Sequence, residues 1–264
     1  MSKDKIGLAL GSGAARGFAL FPVIRKLEEE GIHFQAISGA SIGALIGAHY
    51  ALHGEIDSQF KLGMELTKTD YFKMADPNTP GKSVIRGKKI KAFLQDKFFG
   101  DKTFADTRIP LSVCATDLNT HKVVYIEEGS LIDAVMASIS IPGIFPPYKT
   151  GNHFCIDGGV MDPVPVKPLL DKGIDKILAV NLMGYDAGYQ DLSRLGMTDT
   201  LVATFYLMMS RLCFHDQCDQ IFNLTLYLPP DPKNALIFYK WKEYTRIGQK
   251  TIDEHIGQIL DWLS

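Results

Sequence analysis

Cysteine is scarce in this chain of 264 residues, which contains four of them. They are too few and too scattered to form the disulfide framework of a small secreted domain, so we expect reduced thiols. The cluster of Cys213, His215 and Cys218 suggests a zinc site. However, its spacing is not that of the usual zinc ligands and no second pair accompanies it, so we expect no metal. The four cysteines are Cys114, Cys155, Cys213 and Cys218.

The sequence also lacks a charge excess, a secretion signal and an apolar run long enough to span a membrane. The formal net charge of −2 provides no global field that would attract nucleic acid. The start of the chain has no apolar region followed by a small-residue cleavage site, so we expect a cytoplasmic protein. The most apolar run, Leu201–Met209, is about half the length that a helix needs to span a bilayer. A core helix explains this run better than an interfacial or dimer helix does.

The first half of the sequence alternates between strand-like and helix-like segments. A short strand over Lys5–Leu10 precedes a helical pattern over Arg16–Glu30, which Pro22 should kink or delay. A second strand over Phe34–Ser38 precedes a helical pattern over Ile42–His53. This order predicts parallel strands joined by helices, and no repeat or linker divides residues 1–264, so we predict a single α/β domain. Further strands are predicted at Pro110–Asp117, Lys122–Ile126, Phe154–Asp157, Lys176–Leu182 and Ile221–Leu228, and further helices at Lys88–Phe98, Ser130–Ser138 and Ile247–Leu263.

A mobile surface loop is predicted over Thr67–Gly87, because turn residues interrupt the pattern there. It contains Tyr71, Phe72 and Met74 and overlaps the basic segment Lys82–Lys91. These residues could rest on an anionic lipid surface as a lid, which would give a peripheral membrane contact. A solvated helix face is the simpler explanation of the basic residues.

Three glycines, Gly11, Gly13 and Gly17, follow the first predicted strand. A glycine loop between a strand and a helix can bind phosphate. A dinucleotide site, however, requires G-x-G-x-x-G, whereas these glycines are spaced one residue too far apart and no acidic residue ends the second strand. A Walker loop also fails, because Asp76 replaces the glycine required ahead of residues 81–83. We therefore expect no nucleotide cofactor.

The next strand-to-helix turn contains the motif G-x-S-x-G at Gly39–Gly43, centred on Ser41. On such a turn a serine Oγ stands clear of the backbone, and small neighbours let the turn pack closely. Tight helix packing without chemistry is the alternative explanation. A nucleophilic serine needs N–H donors for the oxyanion of its tetrahedral intermediate. The loop formed by Gly11, Ser12 and Gly13 could supply them as an oxyanion hole.

A nucleophilic serine also needs a base, and the seven histidines do not supply an obvious one. None of them follows a late strand as the histidine of a catalytic triad does, although His153 lies four residues before Asp157. Asp157 ends a predicted strand and is followed by Gly158 and Gly159. A carboxylate can accept the serine proton directly if it lies within reach. The alternative for Asp157 is a turn or capping role.

Three motifs in this order resemble the patatin-like phospholipases, and most closely the compact bacterial members. They are the glycine-rich loop Gly11–Gly17, the serine motif Gly39–Gly43 and the aspartate motif Asp157–Gly159. The segment Ala137–Pro147 also resembles the family's sequence ahead of the aspartate. The similarity extends over residues 5–182, about two-thirds of the chain. One departure is Ser12, which stands where many members have the middle of three glycines.

The resemblance implies a three-layer α/β/α fold with a central, mainly parallel sheet. It implies a Ser–Asp dyad of Ser41 and Asp157 that hydrolyses a lipid acyl ester, with no metal or organic cofactor. Arg16 would stabilise the oxyanion loop, although a solvent-facing position in the first helical turn is equally compatible with the sequence. The expected supporting residues are Arg16, Gly17, Gly39, Gly43, Gly158 and Gly159.

Two other functions are compatible with the same residues. A thioesterase or small-ester hydrolase would use the same dyad, and it would prefer water-soluble esters without interfacial activation. A catalytically idle regulator that binds acyl lipids is the alternative from a different class, and the intact Ser41 and Asp157 argue against it. The head group, the acyl-chain preference, the position of cleavage and the oligomeric state have no signal in the sequence.

Overall fold

The computed structural model describes residues 4–74, 76–79, 83–184, 196–213, 219–228, 238 and 241–264. The strands are β1 Ile6–Leu10, β2 Ala36–Ala40, β3 Leu111–Asp117, β4 Lys122–Ile126, β5 Tyr148–Thr150, β6 His153–Asp157, β7 Lys176–Gly184 and β8 Ile221–Tyr227. The α-helices are α1 Leu20–Glu29, α2 Ile42–His53, α3 Asp57–Glu65, α4 Lys68–Met74, α5 Lys88–Leu94, α6 Leu131–Ser138, α7 Lys167–Asp171, α8 Met197–Leu212 and α9 Trp241–Leu263. Short 3-10 helices lie at Ala14–Ala19, Phe104–Asp106 and Gly158–Val160, and a π-helical turn at Gln95–Phe99.

The eight strands described form one sheet in the order β5-β6-β3-β2-β1-β7-β8, with β4 also paired to β3. The pairs that join β3, β2, β1, β7 and β8 are parallel. The pairs that β3 makes with β4 and β6, and that β5 makes with β6, are antiparallel. The expected central, mainly parallel sheet is therefore confirmed.

Strands β2 and β6 meet end to end along the same side of β3. Cys114 of β3 pairs with Ala40 of β2, and the next residue, Ala115, pairs with Asp157 of β6. Both Cys114 and Ala115 also pair with β4. Since each residue of a strand has only two sides, β2 and β6 share the side opposite β4. This register places the residue that follows β2 beside the last residue of β6.

Helices cover both faces of the sheet, as the alternation of side chains along β1 requires. Leu8 and Leu10 pack into a core shared with α1, α2, α6 and α9. Ala9, which points the opposite way, packs into a second core shared with α7 and α8. The three-layer α/β/α arrangement is therefore confirmed.

The predicted helix over Arg16–Glu30 divides into two pieces in the structure. A 3-10 helix covers Ala14–Ala19, and α1 begins at Leu20 with Pro22 in its first turn. Proline is tolerated in the first turn because the amides there have no intrahelical acceptor. Pro22 thus delays the α-helix, as expected.

The prediction of a loop over Thr67–Gly87 is wrong for Lys68–Met74, which form α4. Thr67 and Asp70 cap the start of this helix, because the Thr67 amide and hydroxyl both donate to the Asp70 carboxylate, at 2.9 and 2.6 Å. This T-x-x-D capping pattern was the overlooked signal. Asp76, which excluded a Walker loop, caps α5 by accepting the amides of Gly87 and Lys88 at 2.9 Å.

The apolar run Leu201–Met209 forms part of α8, which is only half buried. Val202, Tyr206 and Met209 pack against the sheet. Leu201 and Met208 are exposed, so the expectation of a core helix is correct for one face only. Within the described residues, no helix is both long and apolar enough to cross a membrane.

Candidate active site

Ser41 occupies a sharp turn between β2 and α2. Its φ of 54° and ψ of −122° are strained for a residue with a side chain. Gly43 makes the turn possible, because a Cβ on this residue would lie 2.2 Å from the carbonyl oxygen of Leu10. A Cβ on Gly39 would likewise lie 2.5 Å from the Gly43 oxygen. The two glycines of the motif are thus required by close backbone contacts.

The Ser41 hydroxyl contacts the carboxylate of Asp157 directly. Ser41 Oγ donates to Asp157 Oδ2 over 2.5 Å, and the Gly159 amide donates to Oδ1 over 2.8 Å. Gly158 lets β6 end against β3, because a Cβ there would lie 2.3 Å from the Cys114 oxygen. The structure therefore brings the predicted serine and aspartate together through the meeting of β2 and β6.

The Asp157 carboxyl is completely buried. Burial penalises its charged form and raises its pKa to about 7, although the hydrogen bonds from Ser41 and Gly159 oppose the shift. A carboxylate with a pKa near 7 is more basic than an ordinary aspartate. It can therefore compete for a hydroxyl proton at neutral pH.

Ser138 holds the Ser41 backbone, a role that was not predicted from the sequence. Its Oγ accepts the Ser41 amide at 2.8 Å and donates to the Cys114 oxygen at 2.6 Å. The Ser140 carbonyl accepts the Asp157 amide at 2.9 Å. Ser138 and Ser140 are both buried near the end of α6, where serines within an apolar segment were the available signal.

Two of the three amides predicted for the oxyanion hole donate to other backbone carbonyls. The Gly11 amide donates to Val180 O at 3.0 Å, and the Ser12 amide donates to Pro163 O at 2.8 Å. These two amides are therefore engaged in holding the loop. The 3-10 helix starts at Ala14, whose φ is 46°. The first amides of such a helix, and that of the preceding Gly13, have no intrahelical acceptor.

The Ser12 side chain lies between the loop and the aspartate turn. Its Oγ is buried and has no hydrogen-bond partner among the residues described. A Cβ on Gly159 would lie 2.5 Å from this oxygen, so the two positions are in tight contact. The serine that replaces the usual glycine is thus accommodated because its neighbour is Gly159.

Arg16 is buried, so the solvent-facing alternative for this residue is wrong. Its guanidinium lies over the Tyr206 ring at 4.6 Å from the centroid, and Nη1 contacts the Leu182 oxygen at 3.5 Å. Gly17 lets the same segment approach α2, since a Cβ there would lie 2.2 Å from Ile42 Cγ1. Arg16 therefore ties the glycine loop to β7 and α8.

A cavity of about 300 Å³ opens next to Ser41. Ala14 and Gly17 line it beside the serine, and Met74 lines it from the end of α4. Except for Ser41 and Gln59, the side chains that line it are apolar. Of the predicted lid residues, Met74 reaches this cavity, whereas the side chains of Tyr71 and Phe72 lie outside what the structure describes.

His153 is not part of this site. Its Nδ1 lies 2.9 Å from Asp117 Oδ2. This contact holds the pKa of the Asp117 carboxyl well below its usual range. Among the described residues, no group of three or more His, Cys, Asp or Glu side chains could hold a metal. His215 and Cys218 of the suggested zinc cluster, and Lys82 of the basic segment, lie outside them.

The chain resembles known proteins in sequence over more than half of its length. A family model described as patatin-like phospholipase matches residues 8–170. The chain is 35% identical to NTE family proteins of Mycobacterium bovis and Mycobacterium tuberculosis over 71% of its own length and 51% of theirs. It is 32% identical to the neuropathy target esterase sws of Drosophila melanogaster over 72% of this chain and 13% of that protein. The chain thus spans about half the length of the mycobacterial relatives.

Among solved structures, VipD from Legionella pneumophila superposes with a TM-score of 0.58 at 15% identity, over 94% of this chain and 67% of that one. At this identity the likeness concerns the fold alone. The sequence match shows more than the fold, because the family model spans more than half of the chain and includes the glycine loop, Ser41 and Asp157. The chain therefore belongs to the patatin-like phospholipase family.

Proposed function

We propose that this protein hydrolyses acyl esters of lipids, with Ser41 as nucleophile and Asp157 as general base. The observation that carries the proposal is the 2.5 Å contact between Ser41 Oγ and the buried Asp157 carboxylate at the wall of an apolar cavity. Family membership supports the same class of substrate, because the matching model describes phospholipases.

In the first half of the reaction, Ser41 Oγ attacks the ester carbonyl carbon and its proton passes to Asp157 Oδ2. The tetrahedral intermediate collapses to an acyl-serine when the carbon–oxygen bond to the alcohol breaks, and the departing alcohol takes the proton from Asp157. In the second half, Asp157 accepts a proton from water as the water attacks the acyl-serine, and Ser41 Oγ takes that proton back when its bond to the acyl carbon breaks. The products are the free fatty acid, the alcohol and the restored serine.

The oxyanion would be held by the amides at the start of the 3-10 helix, those of Gly13 and Ala14. Gly11 and Ser12 support them indirectly, because their own amides donate to Val180 and Pro163. This modifies the sequence expectation that Gly11, Ser12 and Gly13 all donate. Preorganised backbone donors of this kind typically contribute about 10²- to 10³-fold to the rate.

The cavity favours a lipid acyl chain over a small water-soluble ester. Aromatic and aliphatic side chains surround the space beside Ser41, and burying a hydrocarbon chain among them removes apolar surface from water. A hydrolase of small water-soluble esters would use the same dyad, but its substrates have no long hydrocarbon chain to fill such an apolar cavity. Contact with a membrane surface would allow a lipid to reach the cavity.

Labelling with a fluorophosphonate probe, followed by intact mass measurement, tests the dyad. We expect wild type to gain one probe adduct, and Ser41→Ala and Asp157→Asn to gain none under the same conditions. His153→Ala is the matched control, because it removes the nearby histidine while leaving the Ser41–Asp157 contact intact. Loss of labelling in this control, or labelling of folded Ser41→Ala, would contradict the assignment.

A further inference from the structure

The segment of residues 158–165, which begins in the aspartate motif, contacts the other two motifs of the site. Its Pro163 carbonyl accepts the amide of Ser12, in the glycine loop, at 2.8 Å. Its Pro165 carbonyl accepts the hydroxyl of Ser38, in the strand that leads to the serine motif. The position of this segment therefore sets how the three motifs lie relative to one another.

The backbone of this segment has few donors with which to bind the rest of the fold. Pro163 and Pro165 have no N–H, so at these two positions the chain can only accept hydrogen bonds. The amides of Met161 and Asp162 donate to the Gly158 carbonyl, at 3.2 and 3.0 Å. These two bonds close a turn within the segment and leave its attachment to the sheet to other groups.

Tyr125 supplies such an attachment from the sheet. Its hydroxyl donates to Asp162 Oδ2 over 2.6 Å. Tyr125 lies on β4, where it pairs with Cys114 of β3. Burial raises the pKa of the Tyr125 hydroxyl well above its ordinary value, so the hydroxyl keeps its proton and remains a donor. A hydrogen bond to a carboxylate is roughly twice as strong as one between neutral groups. The Tyr125–Asp162 bond therefore ties the segment firmly to the sheet.

This bond acts close to the glycine loop. Pro163 follows Asp162 directly, and its carbonyl holds the Ser12 amide. The two amides assigned to the oxyanion come next in the chain after Ser12. A donor stabilises an oxyanion only if it lies within hydrogen-bond distance of the position that the oxyanion occupies. A small shift of Asp162 would therefore move these donors away from that position.

We propose that Tyr125 is a positioning residue that, through Asp162, keeps the oxyanion donors at the correct distance from Ser41. This inference rests on the proposed function, because the oxyanion forms only when Ser41 attacks an ester. Tyr125 lies outside the set of described residues that line the cavity. Its hydroxyl should therefore stabilise the transition state without affecting how the acyl chain binds, so its loss should lower kcat and leave KM unchanged.

Tyr125→Phe tests the inference, because it removes the hydroxyl and keeps the ring. With p-nitrophenyl dodecanoate we expect kcat to fall about five- to twentyfold, as the loss of one hydrogen bond to a charged group allows, and KM to stay within about twofold of wild type. The pH at which kcat/KM inflects should stay that of wild type, because Asp157 keeps its hydrogen bonds from Ser41 and Gly159.

An inhibitor pair separates oxyanion binding from chain binding. Undecyl trifluoromethyl ketone forms an oxyanion when Ser41 Oγ adds to its carbonyl carbon, whereas the corresponding alcohol cannot react. Tyr125→Phe should weaken inhibition by the ketone about as much as it lowers kcat, and it should leave inhibition by the alcohol unchanged. A purely structural role of Tyr125 would affect both inhibitors alike.

Tyr148→Phe is the matched control, because it also removes a hydrogen bond from a tyrosine to an aspartate. The Tyr148 hydroxyl donates to Asp133, in the first turn of α6, over 2.5 Å. This bond does not involve the segment of residues 158–165, so kcat should stay within about twofold of wild type. Thermal melting of both variants shows whether they lose similar stability.

The inference is overturned if wild type hydrolyses the ester and Tyr125→Phe keeps its kcat, or if Tyr148→Phe lowers kcat by the same factor. It is also overturned if Tyr125→Phe weakens inhibition by the ketone and the alcohol equally. In these cases the proposed function stands. If wild type neither hydrolyses the ester nor binds the ketone, the proposed function fails and the inference fails with it.

Discussion

Two buried aspartates lie at opposite ends of the ladder between β3 and β6, and their surroundings differ sharply. Asp117 ends β3 and accepts from His153, the Thr120 hydroxyl and the amides of Asn119 and Phe154. Asp157 ends β6 and accepts only from Ser41 and the Gly159 amide among the described residues.

The balance between burial and hydrogen-bond donors sets the pKa of each carboxyl. The hydrogen bond from His153 is the largest contribution that lowers the pKa of Asp117, whereas burial raises the pKa of Asp157 to about 7. A carboxylate that is fully bonded holds a turn together, and one that is buried with few donors remains basic. The comparison therefore supports a structural role for Asp117 and the proposed catalytic role for Asp157, although each is the last residue of its strand.

The largest expected effect is the difference in kcat between Asp157→Asn and Asp117→Asn. Asp157→Asn should lower kcat for ester hydrolysis by about 10²- to 10⁴-fold, the range for removal of a general base. Asp117→Asn should keep kcat within about threefold of wild type but lower the melting temperature, because the hydrogen bonds around the β3–β4 turn weaken. Steady-state kinetics and thermal melting on the same samples separate the two effects. Equal kcat losses in both variants would remove the distinction.

The second prediction concerns stability as a function of pH. The pKa of Asp157 is raised in the folded state, so its neutral form stabilises the fold below its unfolded pKa of about 4, and this contribution is lost as pH rises through about 7. Asp157→Asn should therefore gain stability relative to wild type between pH 4 and pH 8, by roughly 1 to 4 kcal/mol, since one pKa unit corresponds to about 1.4 kcal/mol. Urea unfolding at both pH values measures this difference. A constant difference would show that burial does not perturb Asp157.

The smallest effect is expected from Ser138→Ala, which leaves both members of the dyad in place. Losing the bond from the Ser41 amide should relax the strained turn and lower kcat by about fivefold, since a net hydrogen bond contributes roughly 1 kcal/mol. Ser138→Cys retains a weak acceptor near the amide and should recover part of the rate. Unchanged kcat in folded Ser138→Ala would show that the turn is held without this residue.

Local sequence patterns were sufficient to predict the turn at Ser41 and the strand end at Asp157. Glycines around a serine, and the first glycine after an aspartate, reflect close backbone contacts that leave no room for a Cβ. The fold class was also accessible, because alternating strands and helices predict a parallel sheet.

Contacts between residues that are far apart in the sequence could not be predicted from local patterns. Ser138 contacts Ser41 only because α6 ends beside β3. The engagement of the Gly11 and Ser12 amides depends on β7 and on Pro163, far away in the sequence. Each of these contacts is tertiary, so periodicity and motif spacing do not predict it.

The most direct test of the account is the pH dependence of Ser41 labelling by a fluorophosphonate in wild type and in Asp117→Asn. We expect the labelling rate in both proteins to rise with a single ionisation near pH 7, the pKa to which burial raises Asp157. A rate that does not change between pH 5 and pH 9, or an inflection that moves when Asp117 is replaced, would contradict the assignment of Asp157 as the base.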